Sequence, residues 1–226
     1  MKSTLIVSAT RSNSKTETEL TKSLKEFTSL YGDYELDMSY DNTSGLPVVY
    51  NRYLTTKYFN RYSTILFVHD DVYIDDLKVF EKIDRQFSTG ISVVGLAGGS
   101  KVKLKKPALW HLMTDKRSQS GSVVHPYGDS YIAATTFGPT PMRCVIMDGL
   151  FLAINTKLFK KSPVKFDTRF KFHHYDIDFC LQCNKHKHRL ITEQINVIHK
   201  SPGLLNPNDA SYLESEQKFI NKYVKN

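Results

Sequence analysis

Between Thr64 and Asp76 the chain reads TILFVHDDVYIDD. Thr64 to Val68 is an almost unbroken apolar run, the pattern of a short strand buried on both faces. It ends abruptly in His69, Asp70 and Asp71. Desolvating a carboxylate is costly unless it is paired or holds a metal. Two carboxylates and an imidazole at the mouth of a buried strand therefore ask for a cation or a functional cleft. In open α/β sheets the ligand crevice lies outside the carboxyl ends of the strands. The stretch thus reads as a metal site for a phosphate-bearing substrate. The plainer alternative has Asp70 and Asp71 capping the next helix, although Asp75 and Asp76 are better placed to do so.

Toward the N-terminus, Ser3–Ala9 reads as a β-branched first strand. Ser14 and Glu17 form a capping box for a helix over Thr16–Leu30, with Leu20, Leu24 and Phe27 inward and Gly32 as the stop. Strand, tight loop and helix is how a mononucleotide-binding half begins, and Ser8, Ala9, Thr10 and Arg11 lie where base and phosphate are held. No Gly-x-Gly-x-x-Gly or Walker A sequence is present, which argues against a dinucleotide enzyme and a P-loop NTPase. Tyr34–Tyr40 is a second strand, residues 41–47 a loop, and Val48–Phe59 a helix.

Beyond the opening stretch, a helix near Asp76–Phe87 turns Leu77, Phe80, Ile83 and Phe87 inward, and Ile91–Ala97 is another buried strand. Gly98-Gly99 then lets the backbone turn sharply beside a ligand or another strand. Ser100–Arg143 changes character, with Lys101–Lys106, the only tryptophan (Trp110), Gly128, Gly138, Pro139 and Pro141. So long a loop is a functional lid or, more plainly, a surface insertion. Val145–Met147 is a strand running into Asp148-Gly149. Phe172–Phe179 opens a helix that runs through Cys183, where the helix dipole also favours carboxylates. Asp176 and Asp178, two apart, do not share a helix face, so only one points at the cleft. Leu190–Ile198 is a last strand ending at His199-Lys200, and Asp209–Lys225 an amphipathic helix.

The alternation predicts one α/β domain with a mostly parallel, Rossmann-like central sheet flanked by helices. All 226 residues form that domain, with 1–99 as a nucleotide-binding half and 100–226 as an acceptor and catalytic half. Hydrophobic content of 40% and charged content of 24% fit a soluble globular protein. No apolar run is long enough for a membrane span, and no signal peptide is visible. Three cysteines are too few for a disulfide framework, so the expected location is cytoplasmic. The net charge of +8 suits nucleic acid, an anionic surface or a phosphorylated small molecule, and alone decides little.

Acidic groups close three strand-to-loop transitions: His69-Asp70-Asp71, Asp148, and Asp176 with Asp178. His199-Lys200 closes a fourth. Hard oxygen ligands that leave room for a diphosphate suit Mg²⁺ or Mn²⁺, and the His199 imidazole tilts the choice toward Mn²⁺.

These pieces resemble a nucleotide-sugar-dependent glycosyltransferase of the GT-A fold, close to the family-2-like group. The matching segments are VSATR, DNTSGLPVVYNRYL, ILFVHDDVYI, MDGLFLAI, FHHYDIDFCLQ and VIHKSPG, in that group's order over nearly the whole chain. A narrower similarity is to virus-encoded glycosyltransferases that decorate a capsid protein, which would place the enzyme in the host cytoplasm. In the family the apolar strand ends in Asp-x-Asp; here His69 stands first and Asp71 matches the last position. The resemblance implies transfer of a sugar from a nucleoside-diphosphate sugar, a UDP-sugar, to an acceptor hydroxyl on a glycan or glycoprotein. It makes Asp71 and His199 the metal ligands. Ser8, Ala9, Thr10, Arg11, Asn42, Leu46, Asn51, His69, Asp70 and Lys200 bind the donor. Asp176 is the base and Asp148 holds sugar hydroxyls, with Trp110 and Asp178 on the acceptor side. In-line displacement by one base predicts inversion.

Rival readings differ in what they require. Cys180-x-x-Cys183-x-x-His186-x-His188 is a possible zinc site, but all four fall on or near one predicted helix without the intervening turn of structural zinc sites. A metal-dependent phosphodiesterase or nucleotide hydrolase needs more converging ligands. A glycosidase needs two carboxylates and no nucleotide pocket. A non-catalytic module for sugar or nucleic acid is the different-class alternative; the basic residues lack the aromatic interleaving of nucleic-acid binders.

Overall fold

The computed structural model describes residues 4–26, 33–127, 131–201 and 208–224. Thr4–Ala9 forms strand β1, Glu19–Glu26 helix α1 and Tyr34–Ser39 strand β2. Helices α2 (Leu46–Asn51) and α3 (Thr56–Arg61) precede β3 (Thr64–Val68) and β4 (Val72–Ile74). Helix α4 (Val79–Ser88) leads to β5 (Val93–Gly95) and β6 (Ala97–Gly99), then to the long antiparallel pair β7 (Gln119–Tyr127) and β8 (Tyr131–Gly138). Strands β9 (Met142–Cys144), β10 (Ile146–Met147) and β11 (Phe151–Asn155) follow, then helices α5 (Thr156–Lys161) and α6 (Tyr175–Lys185). Strands β12 (Leu190–Thr192) and β13 (Val197–His199) and helix α7 (Ala210–Tyr223) complete the order.

All five residues of β3 are buried, as two-sided covering requires. It lies within a seven-stranded sheet of order β2-β1-β3-β11-β5-β12-β9. A second sheet has the order β10-β6-β7-β13-β4, with β8 added on β7. In the large sheet β2–β1, β1–β3 and β5–β12 are parallel, whereas β3–β11, β11–β5 and β12–β9 are antiparallel. The α/β class therefore holds with a mixed sheet. The reason lies in how the chain re-enters: β11 returns directly from β10 of the second sheet, so it starts at the end where β3 finishes.

Several apolar runs that read as single strands are divided between the two sheets. Ile91–Ala97 becomes β5 in the large sheet and β6 in the small one, and Leu190–Ile198 becomes β12 and β13. His69-Asp70-Asp71 is itself such a crossing, from β3 to β4. Gly98 and Gly99 serve close approach: a Cβ on either would collide with Ile146 or Thr114. The expected loop over 100–143 contains the β7–β8 pair, so its second half is largely sheet.

Local corrections follow the hydrogen bonds. Helix α1 begins after Thr18, not at Thr16 behind a Ser14 cap, because Thr18 and Thr21 bond reciprocally (Thr18 N–H to Thr21 Oγ1, 2.9 Å; Thr21 N–H to Thr18 Oγ1, 3.2 Å). The helix expected over Val48–Phe59 is two short ones, α2 and α3. Leu77 is 50% exposed because α4 starts after it, while the buried Asp76 accepts from the N–H groups of Lys78 and Asn196. Phe27, Gly32 and Gly128 lie outside the described residues.

Two expected site residues prove to be braces. Asn51 pairs both ways with the Phe166 backbone, at 2.8 and 2.9 Å, and is used up there. Asp178 is fully buried and takes Lys222 and the Tyr223 hydroxyl (2.6 Å), which fastens α7 to α6; it lines neither described cavity. Without Asp178, Lys222 keeps Asp167, but the Tyr223 hydroxyl loses its acceptor. Asp178→Ala should therefore lower unfolding free energy by about 2 kcal/mol, read as a shifted urea midpoint.

Candidate active site

Where β3 crosses to the second sheet, its three polar residues part company. The His69 N–H bonds to the Leu150 carbonyl at 3.1 Å, holding the strand end against the start of β11. Asp70 lines one cavity and His69 another. Asp71 meets His199, at the end of β13, with Oδ2 3.3 Å from Nε2. The Asp71 backbone carbonyl also accepts from the Lys200 N–H at 2.9 Å, so β4 and β13 stay in step at this point.

His69, Asp71 and His199 each offer a ligand atom within 4.8 Å of the others. Asp71 Oδ1 is buried and has no hydrogen-bond partner among the described residues, an expensive state unless a cation takes it. Burial works against the Asp71 charge, yet the hydrogen bond and charge of His199, and then His69, hold its carboxyl below the ordinary range. Burial pushes His69 down, keeping the imidazole neutral as a ligand must be. The Tyr175 hydroxyl donates to the Gly149 carbonyl (3.0 Å) and lies 2.8 Å from His69 Nε2. One hydroxyl carries one proton, so His69 Nε2–H donates the second bond. That leaves His69 Nδ1 as the lone-pair nitrogen. One carboxylate and two imidazoles suit a divalent transition metal such as Mn²⁺ better than Mg²⁺.

The larger cavity, about 390 Å³, runs along the carboxyl end of β1. Ala9, Thr10, Arg11, Asn42, Leu46 and Asp70 line it, joined by Lys171 and Phe172. Its far wall depends on Gly45, at φ +89, where a Cβ would sit 2.8 Å from the Lys171 carbonyl oxygen. The Leu46 N–H bonds to that same oxygen at 2.9 Å. Ser8 is wholly buried in β1 and does not line the cavity; alternation along a strand turns it away from Ala9. Lys200 does not line it either, its ammonium lying 3.2 Å from Glu19.

The smaller cavity, about 160 Å³, brings together Trp110, Asp148, Tyr175 and Asp176 with His69 and His174. Asp148 accepts from Trp110 Nε1 (3.0 Å) and from the Leu150 N–H (2.9 Å). Trp110 is therefore a fixed wall, packed edge-on to Phe137 at 4.7 Å, and not a mobile cover. Asp176 accepts from the Gly149 N–H at 2.8 Å. Gly149 is obligatory: a Cβ there would strike the Tyr175 hydroxyl and come within 2.7 Å of Asp176 Cβ. Burial, then the nearby Asp148 charge, raises the Asp176 carboxyl to about 7.

Phe172, half exposed, lines both cavities and stacks on His69 at 5.7 Å. His174, buried at the left-handed φ of +64, precedes α6 and bonds Ser215 of α7 (2.9 Å); burial drives it down to about 4. Both residues stand in the FHHYDID segment, whose composition alone did not assign them roles. His125 carried no sequence signal. Parallel pairing at Ile198↔Val124 sets it beside His199, rings 5.2 Å apart, with Nδ1 buried and unpartnered among the described residues. Cys180 and Cys183 are buried on α6, and no metal group including them forms among the described residues.

A family model described as a glycosyltransferase-like family matches residues 32–223. The chain belongs to that family. This glycosyltransferase has no match among curated proteins. Among solved structures it is similar to A197 from STIV, at 16% identity and a TM-score of 0.52, covering 88% of this chain and 86% of that one. It is also similar to residues 1–349 of TarS from S. aureus, at 14% identity and a TM-score of 0.48, covering 88% of this chain and 61% of that one. For TarS 1–349 in complex with UDP the figures are 12%, 0.46, 87% and 60%. The likeness to A197 shows a shared fold. No helix among its described residues is long and apolar enough to cross a membrane.

The buried Asp176 has a stability consequence. Its raised proton affinity means that the folded protein keeps a proton which the unfolded chain releases above its ordinary carboxylate range. Between about pH 4 and about pH 7 this group makes stability fall as pH rises, and the loss is complete above that window. Asp176→Asn should melt above the wild type at pH 8, with the difference closing toward pH 4, as followed by circular dichroism.

Proposed function

We propose that this glycosyltransferase is metal-dependent, takes a nucleoside-diphosphate sugar with UDP as the first nucleotide to test, and transfers the sugar to an acceptor hydroxyl with inversion. One observation carries the proposal. Consecutive residues at the end of β3 serve different tasks: His69 lines the small cavity, Asp70 lines the large one, and Asp71 forms with His199 a ligand group between the sheets. A donor with a nucleotide at one end and a sugar at the other, joined by a diphosphate that needs charge neutralisation, fits that order.

In this reading Ala9, Thr10, Arg11, Asn42, Leu46 and Asp70 hold the nucleotide, with Lys171 and Phe172 closing the cleft. Residues 1–99 thus supply most of the nucleotide site, and residues 100–226 most of the sugar site. Asp71 and His199, with His69 beside them, would hold the divalent ion. When bound, such an ion stabilises the charge that builds on the departing diphosphate. Arg11 adds a fixed cation on the nucleotide side. Asp148, already anchored by Trp110 and the Leu150 N–H, keeps lone pairs for sugar hydroxyls. Asp176 takes the acceptor proton, and a carboxylate whose affinity lies near working pH is matched to that task. A single base on one face of the sugar gives inversion. The rival hydrolase reading needs a second metal group, and the described residues form one.

Three measurements test this. Mn²⁺ with UDP should raise the wild-type melting temperature beyond Mn²⁺ alone, and Asp71→Ala should abolish the increment. Asp176→Asn should keep the increment but lose about a hundredfold to ten-thousandfold in transfer. Because burial and Asp148 raise the Asp176 carboxyl, the acid limb of kcat should fall near neutrality, and Asp148→Asn should move it to lower pH. An unshifted limb would assign the base elsewhere.

A further inference from the structure

Residues 100–118 carry six cations (Lys101, Lys103, Lys105, Lys106, Lys116 and Arg117) against one carboxylate, Asp115. Five of the chain's eight excess positive charges therefore lie in this one segment. Folding gives the charge a shape. The Ser100 N–H bonds to the Ser118 carbonyl and the Lys103 N–H to the Met113 carbonyl, both at 2.8 Å, closing the segment into a lobe with two adjacent arms. On the outgoing arm Val102 and Leu104 pack against the core, while Lys101, Lys103 and Lys105 are exposed. This is the alternation of an extended chain, and it sets the three lysines on one side at backbone intervals of about 6.6 Å, with the Lys103 ammonium 3.7 Å from the exposed Asp115. Lys116 and Arg117 are exposed on the returning arm.

The same lobe reaches the small cavity, where Ala108, Leu109 and Trp110 form part of the wall. Its position is fixed by Glu216 of α7, which accepts from the Ala108 N–H at 2.8 Å and from the Tyr212 hydroxyl at 3.0 Å. The cationic row and this part of the small cavity's wall thus belong to one lobe.

We infer that this lobe docks the acceptor, and that the acceptor is an extended polypeptide segment carrying acidic side chains at alternate positions around a Ser or Thr hydroxyl. The inference rests on the small cavity being the place of transfer. An extended peptide repeats its alternate side chains at the same interval as the lysine row, so several ion pairs form in one register. Exposed pairs are weak singly, which makes register the source of selectivity. Lysines accept carboxylates as point charges without the planar fork that arginine imposes. A nucleic-acid strand would want stacking aromatics beside the charges, and the lobe's Trp110 is turned inward at 6% exposure.

Fluorescence anisotropy with labelled peptides tests the inference without any donor. The probes are an alternating Glu-Ser peptide, a Gln-Ser peptide of equal length, a peptide with the same glutamates in one block, and polyphosphate as competitor. The alternating peptide should bind tightest, and its affinity should fall as salt is raised from about 0.05 M to about 0.5 M. Combining Lys101→Ser, Lys103→Ser and Lys105→Ser should weaken it about tenfold, whereas Lys157→Ser, Lys160→Ser and Lys161→Ser together, an equal loss of charge on α5, should not. Equal binding of the block or Gln-Ser peptide, tighter binding of polyphosphate, or full affinity in the lobe variant overturns the inference. The melting increment with Mn²⁺ and UDP is measured on the same samples. Its absence in the wild type counts against the nucleotide-sugar site, whereas its survival in a lobe variant that has lost the peptide separates the docking surface from that site.

Discussion

Asp71 stands at the junction of two sheets, with one oxygen against the His199 imidazole and the other buried without a partner among the described residues. Much of the site follows from that placement. β3 is buried along its whole length, and the three polar residues leaving it come out only partly exposed, His69 and Asp70 at the cavities. The chain then passes straight into β4 of the second sheet, which fixes Asp71 between the sheets, and β13 must pair with β4 for His199 to reach it. Leaving a carboxylate oxygen unsatisfied there costs on the order of 1–3 kcal/mol. In the proposed function a cation takes that oxygen.

A second constraint ties this group to the small cavity. Gly149 uses both of its backbone polar groups, the carbonyl accepting from Tyr175 and the N–H donating to Asp176. Tyr175 in turn accepts from His69 and so sets which ring nitrogen bears the proton. A side chain at position 149 would push the start of α6 away and uncouple the imidazole from the carboxylate. The left-handed His174 and its bond to Ser215 seat the same helix end from the other side. α7, far along the chain, thereby supports both the start of α6 and, through Glu216, the Trp110 lobe.

Much of this was legible in the sequence, and the failures share a cause. The buried strand, its polar terminus, and the acidic ends at Asp148 and Asp176 stand out because charge after an apolar run is a local pattern. An apolar run gives no sign of where it bends from one sheet to another, so β5 with β6, and β12 with β13, read as single strands. Asn51 and Asp178 looked like site residues because polarity near a motif does not say which way a side chain points. Asn51 is used up by the Phe166 backbone and Asp178 by Lys222 and Tyr223, partners distant in sequence. His125 joined His199 only through the register of two strands, and the lysines at 101–106 met Lys116 and Arg117 only when the lobe closed on itself.

The sequence by itself determined the α/β class, the buried central strand, the family, and the types of group at the strand ends. Those properties follow from hydrophobic period and from the cost of burying charge, both of which act over a few residues. Tertiary structure alone decided which of these groups meet. It set Asp71 on His199, Trp110 on Asp148, and Gly149 between Tyr175 and Asp176. Such contacts depend on sheet order, strand register and the close approach of backbone segments, which are properties of the packed chain and of no single segment in it.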